Sequence, residues 1–308
     1  MATVNTAWDH VSSNIFKTYL IMFFFSIFTF GVVYILALSL GFGEADMVGV
    51  IGFALIFIGI SNFISWFFSD KIVLSVSGAK PVSLDSNRGL YRTVENLCIA
   101  AGLPLPKIYT IEDSAPNAFA TGRDPKHGVI CFTTGILSKL NKQELEGVTA
   151  HELSHIGNRD TLMMSVVSVL VGTIALLADW YMRSMWFGRG DNNRNNNSGM
   201  LMVFGIIAAI LAPVIASLIQ LAVSRRREFL ADASGVLLTR FPQGLANALK
   251  KISSDKEPLE VANRGTAHLY IVNPLKGNQA LDGFAKLFST HPPIQDRIKA
   301  LQEMEGTV

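Results

Sequence analysis

The stretch "VTAHELSHIGNRD", residues 148–160, carries two histidines four positions apart with a glutamate directly after the first. On a helix, His151 and His155 lie one turn apart, so both imidazoles project from one face and can bind one metal ion. Glu152 falls beside that ion, where its carboxylate can take a proton from an attacking water. The plain alternative is a helix that carries two histidines by accident. With 6 histidines in 308 residues, the H-E-x-x-H spacing is rarely accidental. A catalytic zinc needs more: a third protein ligand and an open fourth position.

The later segment "RRREFLADASGV", 225–236, offers that ligand. Glu228 and Asp232 are four apart and share a helix face. Glu228 can complete a set of two histidines and one glutamate. Asp232 is then placed to accept the N–H of a ligand histidine and fix its tautomer. The competing reading is that both acids only neutralise Arg225, Arg226 and Arg227 at a membrane boundary.

The elements that must hold these residues follow from periodicity and caps. "NKQELEGVTAHELSHIGN" reads as a helix, with Asn141 as N-cap, Glu144 completing a capping box and Gly157 as the stop. Residues 88–101 have apolar Leu90, Val94, Leu97 and Cys98 at helical spacing, closed by Gly102. "PKIYTI" (106–111) reads as a strand. "NAFATG" (117–122) and "GVICFT" (128–133) flank the turn-rich "RDPKH" and read as a hairpin.

Four uncharged runs are long enough to span a bilayer: Thr18–Leu40 and Met47–Ser69 with 23 residues each, Thr161–Ala178 with 18, and Met200–Ser224 with 25. A helix needs about 20 residues to cross the hydrocarbon core. The third run is marginal and needs its flank to reach. The phenylalanines of the first run, among them Phe23, Phe24 and Phe25, are expected to face lipid or a neighbouring helix. The first run is too long for a cleaved signal peptide. Only 16% of residues are charged and half are apolar, against about 25% charged in a soluble domain. The net charge is +2 with no basic stripe, which argues against nucleic acid as a partner. Cys98 and Cys131 match no metal or redox spacing and are expected to be reduced, structural thiols. Lys71, Lys80, Arg88 and Arg92 after the second run, and Arg225 to Arg227 after the fourth, place 70–160 and 225–308 in the cytoplasm. Two spans between His155 and Glu228 would bring both ligands to one side of the membrane.

Taken together, H-E-x-x-H at 151–155, E-x-x-x-D at 228–232, "NAFATG" at 117–122 and "STHPPIQDRI" at 289–298 resemble the HtpX heat-shock proteases. These are membrane-integrated zinc endopeptidases related to the type 1 CAAX prenyl proteases. The likeness covers nearly the whole chain, with the motifs in family order. It implies a bacterial inner-membrane enzyme of protein quality control and stress response. Its partners would be misfolded membrane proteins and the lipid bilayer, and both termini would be cytoplasmic. It also implies that Asp232 supports His151 and that His291 and Arg297 lie near the site. His291 is a candidate oxyanion donor, or else part of a helix start opened by Pro292 and Pro293.

The expected fold is therefore a mainly α integral membrane protein. Four transmembrane helices carry an α+β zincin-like catalytic domain built from two chain segments. Residues 1–69 would form a two-span hairpin and 70–160 the first catalytic part. Residues 161–224 would form a second hairpin with a polar loop at 179–199, and 225–308 the second catalytic part. One zinc per chain would be held by His151, His155 and Glu228, with Glu152 as the base. Asn117, Ala118, Phe119 and Ala120 would bind substrate backbone along an exposed strand edge. His10, His127 and His268 lack ligand spacing and are expected at the surface. The alternatives are a processing enzyme for prenylated or other membrane-anchored substrates, a transporter, or a non-catalytic metal-binding membrane protein. A transporter would carry ionisable groups inside its spans, and the four runs hold none.

Overall fold

The long apolar runs leave the backbone no partner but itself, so they form long helices. The computed structural model describes residues 7–39, 43–187, 225–262, 265–274 and 292–305. Helices α1 (Ala7–Ser39) and α2 (Met47–Val76) stand side by side, joined by a turn that includes a short 3-10 helix at Glu44–Asp46. Helix α2 continues past Ser69 to Val76 before the polar region begins. Asn62 on α2 donates to the Ser26 hydroxyl on α1 at 2.8 Å, a polar tie inside an apolar contact. Among the described residues, three helices are long and apolar enough to cross a membrane: Val11–Leu38, Glu44–Val76 and Asp160–Leu177. The third belongs to helix α6 (Asp160–Phe187), which packs against both α1 and α2. Of the first-span phenylalanines, Phe25 is buried in a cluster with Leu162 and Val166 of α6, whereas Phe23 and Phe24 are exposed. The fourth apolar run, Met200–Ser224, lies outside the described residues.

A four-stranded sheet lies beside the helices, with strands β1 (Lys80–Pro81), β2 (Lys107–Ile111), β3 (Ala118–Thr121) and β4 (Val129–Thr133) in the order β1-β2-β4-β3. Strands β3 and β4 form the expected antiparallel hairpin, with Phe119 opposite Cys131 and Ala120 opposite Ile130. Strand β4 pairs with β2 in parallel on its other side. Period-2 alternation splits the side chains between two cores. Ala118, Ala120, Ile130 and Phe132 face a core with helices α3 (Arg88–Ala101) and α5 (Lys142–Gly157). Phe119, Val129 and Cys131 face a second core, shared with α1, α2 and α6. The sheet and the apolar helices are thus packed together through β3 and β4. Cys98 and Cys131 are both buried and unpaired by disulfide, and burial pushes the Cys98 thiol up to about 11.

The caps lie where the side chains predict. Asn87 accepts the Leu90 N–H, and Gly102 closes α3 in the left-handed region at φ 64°. The Asn141–Glu144 box starts α5. Helix α5 does end at Gly157, but the left-handed residue is Arg159, at φ 57°. The Asn158 carbonyl accepts the Asn14 side-chain N–H at 3.0 Å, which pins this reversal to α1. The short helix α4 (Thr134–Lys139) leads into α5, and helices α7 (Arg225–Thr239), α8 (Pro242–Ser254) and α9 (Ile294–Glu303) follow α6. Helices α7 and α8 both cross α5 at glycines. A Cβ on Gly147 would lie 2.7 Å from the Leu245 nitrogen of α8, and one on Gly235 would lie 3.1 Å from the His151 nitrogen.

Gly147→Ala should therefore lower the thermal midpoint of the purified protein, since overpacking a close contact costs about 1–3 kcal/mol. At Gly157 the same Cβ meets only the Leu103 side chain at 3.6 and 3.7 Å. Gly157→Ala should leave the midpoint unchanged. Thermal unfolding of both variants in detergent checks the pair, and equal midpoints would remove the close-approach argument.

Candidate metal centre

Helix α5 presents His151, Glu152 and His155 toward α7, which presents Glu228 and Asp232 one turn apart. All five side chains are buried. One ligand atom each from His151, His155 and Glu228 lie within 4.8 Å of one another. The two Nε2 atoms are 3.2 Å apart, and the Glu228 carboxylate oxygens lie 3.5 Å from His155 Nε2 and 3.8 Å from His151 Nε2.

The other ring nitrogens explain this approach. His151 Nδ1 lies 2.9 Å from Asp232 Oδ1, and His155 Nδ1 lies 3.0 Å from Asp160 Oδ2. A carboxylate can only accept, so each Nδ1 carries the proton and each Nε2 presents a lone pair. Two lone pairs that face each other repel unless they share a cation. A proton is one such cation. Burial pulls His155 down, but the Asp160 and Glu228 carboxylates outweigh it and push it up to about 10. His151 goes the other way: burial lowers it, and Arg297 offsets the help it gets from Asp232.

A metal is the other cation, and the surrounding charge favours it. The carboxylates of Glu152, Asp160, Glu228 and Asp232 gather here against the guanidinium groups of Arg227 and Arg297. The carboxylates outnumber the guanidinium groups, so a cation at the histidines is electrostatically favoured. Two imidazoles and one carboxylate, with each imidazole oriented by a second carboxylate, suit zinc.

The outer residues tie the site to the fold. Arg297 of α9 is fully buried and donates to both Asp232 oxygens, from Nη2 at 2.6 Å and Nε at 2.8 Å. Its Nη1 lies 3.1 Å from Glu228 Oε2. Burial alone would lower its pKa, but Asp232 and Glu228 reverse the sign, so it stays charged. Burial likewise raises Asp232, and Arg297 and His151 bring it back below the usual carboxylate range. Asp160 Oδ1 accepts the Asn14 side-chain N–H at 2.7 Å, and Arg227 Nε is 3.8 Å from the same oxygen. The first apolar helix thus reaches the metal site through a single intervening carboxylate. Burial pushes the Glu152 carboxyl up to about 7 against the pull of His155.

Residues 85–305 match peptidase family M48. The chain belongs to that family. A "Protease HtpX homolog" of Thermoanaerobacter pseudethanolicus is 44% identical over 303 residues, which is 97% of this chain and 98% of that one. Another protein of that description, from Pyrococcus furiosus, is 47% identical over 245 residues, 79% of this chain and 82% of the other. A crystal structure of S. mikatae Ste24p superposes with a TM-score of 0.49 at 19% identity, covering 87% of this chain and 62% of that chain. The protein is a membrane-bound zinc metalloprotease, and His151, His155 and Glu228 form its candidate metal site.

The sequence-based site needs three corrections. Strand β3 ends the sheet but is not exposed: Asn117, Ala118, Phe119 and Ala120 are all 3% exposed or less. Residues 270–272 cover its outer edge. His268 is buried rather than at the surface, with Nε2 3.1 Å from the Met164 carbonyl. Asp160 belongs to the site and was missed. Its signal was available, as an acid five residues after His155 at the head of an apolar run. His127 is exposed, as expected, and pairs with Asp124 at 2.8 Å. His291 lies outside the described residues, as does the side chain of His10.

Zinc affinity, measured by chelator competition on purified variants, tests these assignments. Glu228→Ala should lose the most. Asp160→Ala and Asp232→Ala should each weaken binding about 10–100-fold, as the loss of a histidine-orienting carboxylate does. Native affinity in Asp160→Ala would take Asp160 out of the site.

Proposed function

We propose that the protein hydrolyses peptide bonds of misfolded or damaged membrane proteins at the cytoplasmic face of a bacterial inner membrane, with one zinc per chain held by His151, His155 and Glu228. The observation that carries this reading is the convergence of two Nε2 atoms and one carboxylate, with Glu152 beside them. When bound, zinc acts as a Lewis acid on the scissile carbonyl and acidifies water.

The chain's own residues supply the rest. Glu152 is not needed as a ligand. Its carboxyl, raised to about 7, is poised near neutral pH to take the proton of the attacking water and pass it to the leaving amine. Asp232 and Asp160 hold the two imidazoles in one tautomer. Arg297 fixes Asp232 and Glu228 against their mutual repulsion. His291 stays a candidate for stabilising the oxyanion.

Membrane placement supports the choice of substrate. Helix α6 begins at Asp160, which touches His155, so the apolar helices start at the site itself. With Met200–Ser224 as a fourth span, the chain returns to the side it left, which is what a site shared by His155 and Glu228 requires. Arg225 to Arg227 then follow the fourth span, and Lys71 and Lys80 the second, as cytoplasmic flanks do. In this arrangement residues 70–160 and 225–308 form one cytoplasmic catalytic unit between and after the two transmembrane hairpins.

Glu152→Gln separates a protease from a metal-binding membrane protein. Glutamine keeps the shape but cannot accept the proton. The variant should keep its zinc and its membrane insertion, while cleavage of unfolded casein falls by about 10²–10⁴-fold, the contribution of a positioned general base. Zinc content and casein cleavage are measured on one preparation. Native cleavage with zinc bound would mean that Glu152 is not the base.

A further inference from the structure

An extended peptide binds a strand by adding another strand to its open edge. Strand β3 has β4 on one side, so the other side is where a substrate backbone would run past Glu152. The protein's own chain already lies there. The Ile271 N–H donates to the Ala118 carbonyl at 3.0 Å, and Tyr270 forms an antiparallel bridge with Phe119. Asn117 Nδ2 donates to the Val272 carbonyl at 2.9 Å, and Asn117 Oδ1 accepts the Val272 N–H at 3.4 Å. Arg297 Nη1 donates to the Ile271 carbonyl at 3.1 Å, and that nitrogen also lies 3.1 Å from Glu228 Oε2. Ile271 is therefore held by β3 through its N–H and by Arg297, which also contacts Glu228, through its carbonyl.

This is the hydrogen-bond pattern of a bound peptide rather than of a sheet strand. Among the described residues one bridge is formed here, and Asn117 matches Val272 with its side-chain amide instead of its backbone. Asn117 and Arg297 are the groups that a sequence-tolerant site needs, since they read backbone and not side chains.

We infer that Tyr270–Val272 occupies the substrate track as an internal competitor, which an incoming peptide must displace. This rests on the peptidase reading above and adds a latent state to it. Tyr270, Ile271 and Val272 are all buried, so the closed form dominates and apparent substrate affinity is reduced by the small fraction that is open.

Hydrogen exchange on the full-length, zinc-loaded Glu152→Gln protein in detergent tests this without turnover. Labelled, unfolded casein is added until its anisotropy saturates. The Ile271 and Val272 amides should then exchange at least about tenfold faster, because the bound peptide has taken their partners. Casein that does not bind, or that binds and leaves both amides protected, overturns the proposal. A second arm uses Ile271→Pro, which removes the N–H donated to Ala118. Its kcat/KM on casein should rise about fivefold, the worth of one backbone hydrogen bond. A folded Ile271→Pro protein with unchanged or lower kcat/KM also overturns it. If this variant does not fold, the exchange arm decides alone. Failure of the native protein to cleave casein, with the amide response intact, counts against the peptidase reading only.

Discussion

The site depends on two carboxylates that bind no metal. Asp232 and Asp160 each accept the Nδ1 proton of one histidine, at 2.9 and 3.0 Å, and so turn both Nε2 lone pairs toward one point. H-E-x-x-H alone sets the spacing of the imidazoles but not their tautomers. The two acids come from different elements. Asp232 lies on α7, and Asp160 opens the apolar helix α6. To orient both histidines, the chain must bring the start of a membrane helix and a segment some seventy residues further on against the same helix. That requirement sets the metal site at the start of an apolar helix long enough to cross a membrane.

Arg297 is the counterpart of those acids. Four buried carboxylates would repel one another strongly at low dielectric. One guanidinium spans Asp232, Glu228 and the Ile271 carbonyl, so a single side chain holds the ligand helix, the orienting acid and the covering segment together. It acts as an internal counter-ion that leaves room for a cation at the histidines. Asn14 plays a smaller part on the other side. It joins α1 to both Asp160 and the Asn158 carbonyl, so movement of the apolar helices and orientation of His155 are mechanically linked.

Local features of this site were legible in the sequence because they depend on residues a few positions apart. The Asn141–Glu144 box, the His151–His155 pair and the Glu228–Asp232 pair are all one-turn relations, and the structure contains each of them. The three described apolar helices follow from run length. Relations across the chain were not legible. Asp160 becomes a partner of His155 only because the chain reverses at Arg159. The coverage of β3 depends on Asn117 meeting Val272, 155 residues away, and "LYIVN" is too short to announce a strand. Burial of His268 follows from its packing against α6, which spacing along the chain does not encode.

X-ray absorption at the zinc edge tests the central claim most directly, because it reads the ligands themselves. On zinc-loaded protein, a four-coordinate shell of nitrogen and oxygen at about 2.0–2.1 Å is expected. Two imidazoles should contribute, and no sulfur. Glu228→Ala should alter that shell, and Glu152→Gln should leave it intact. A sulfur ligand, a single imidazole, or a shell unchanged in Glu228→Ala would contradict a site built from His151, His155 and Glu228.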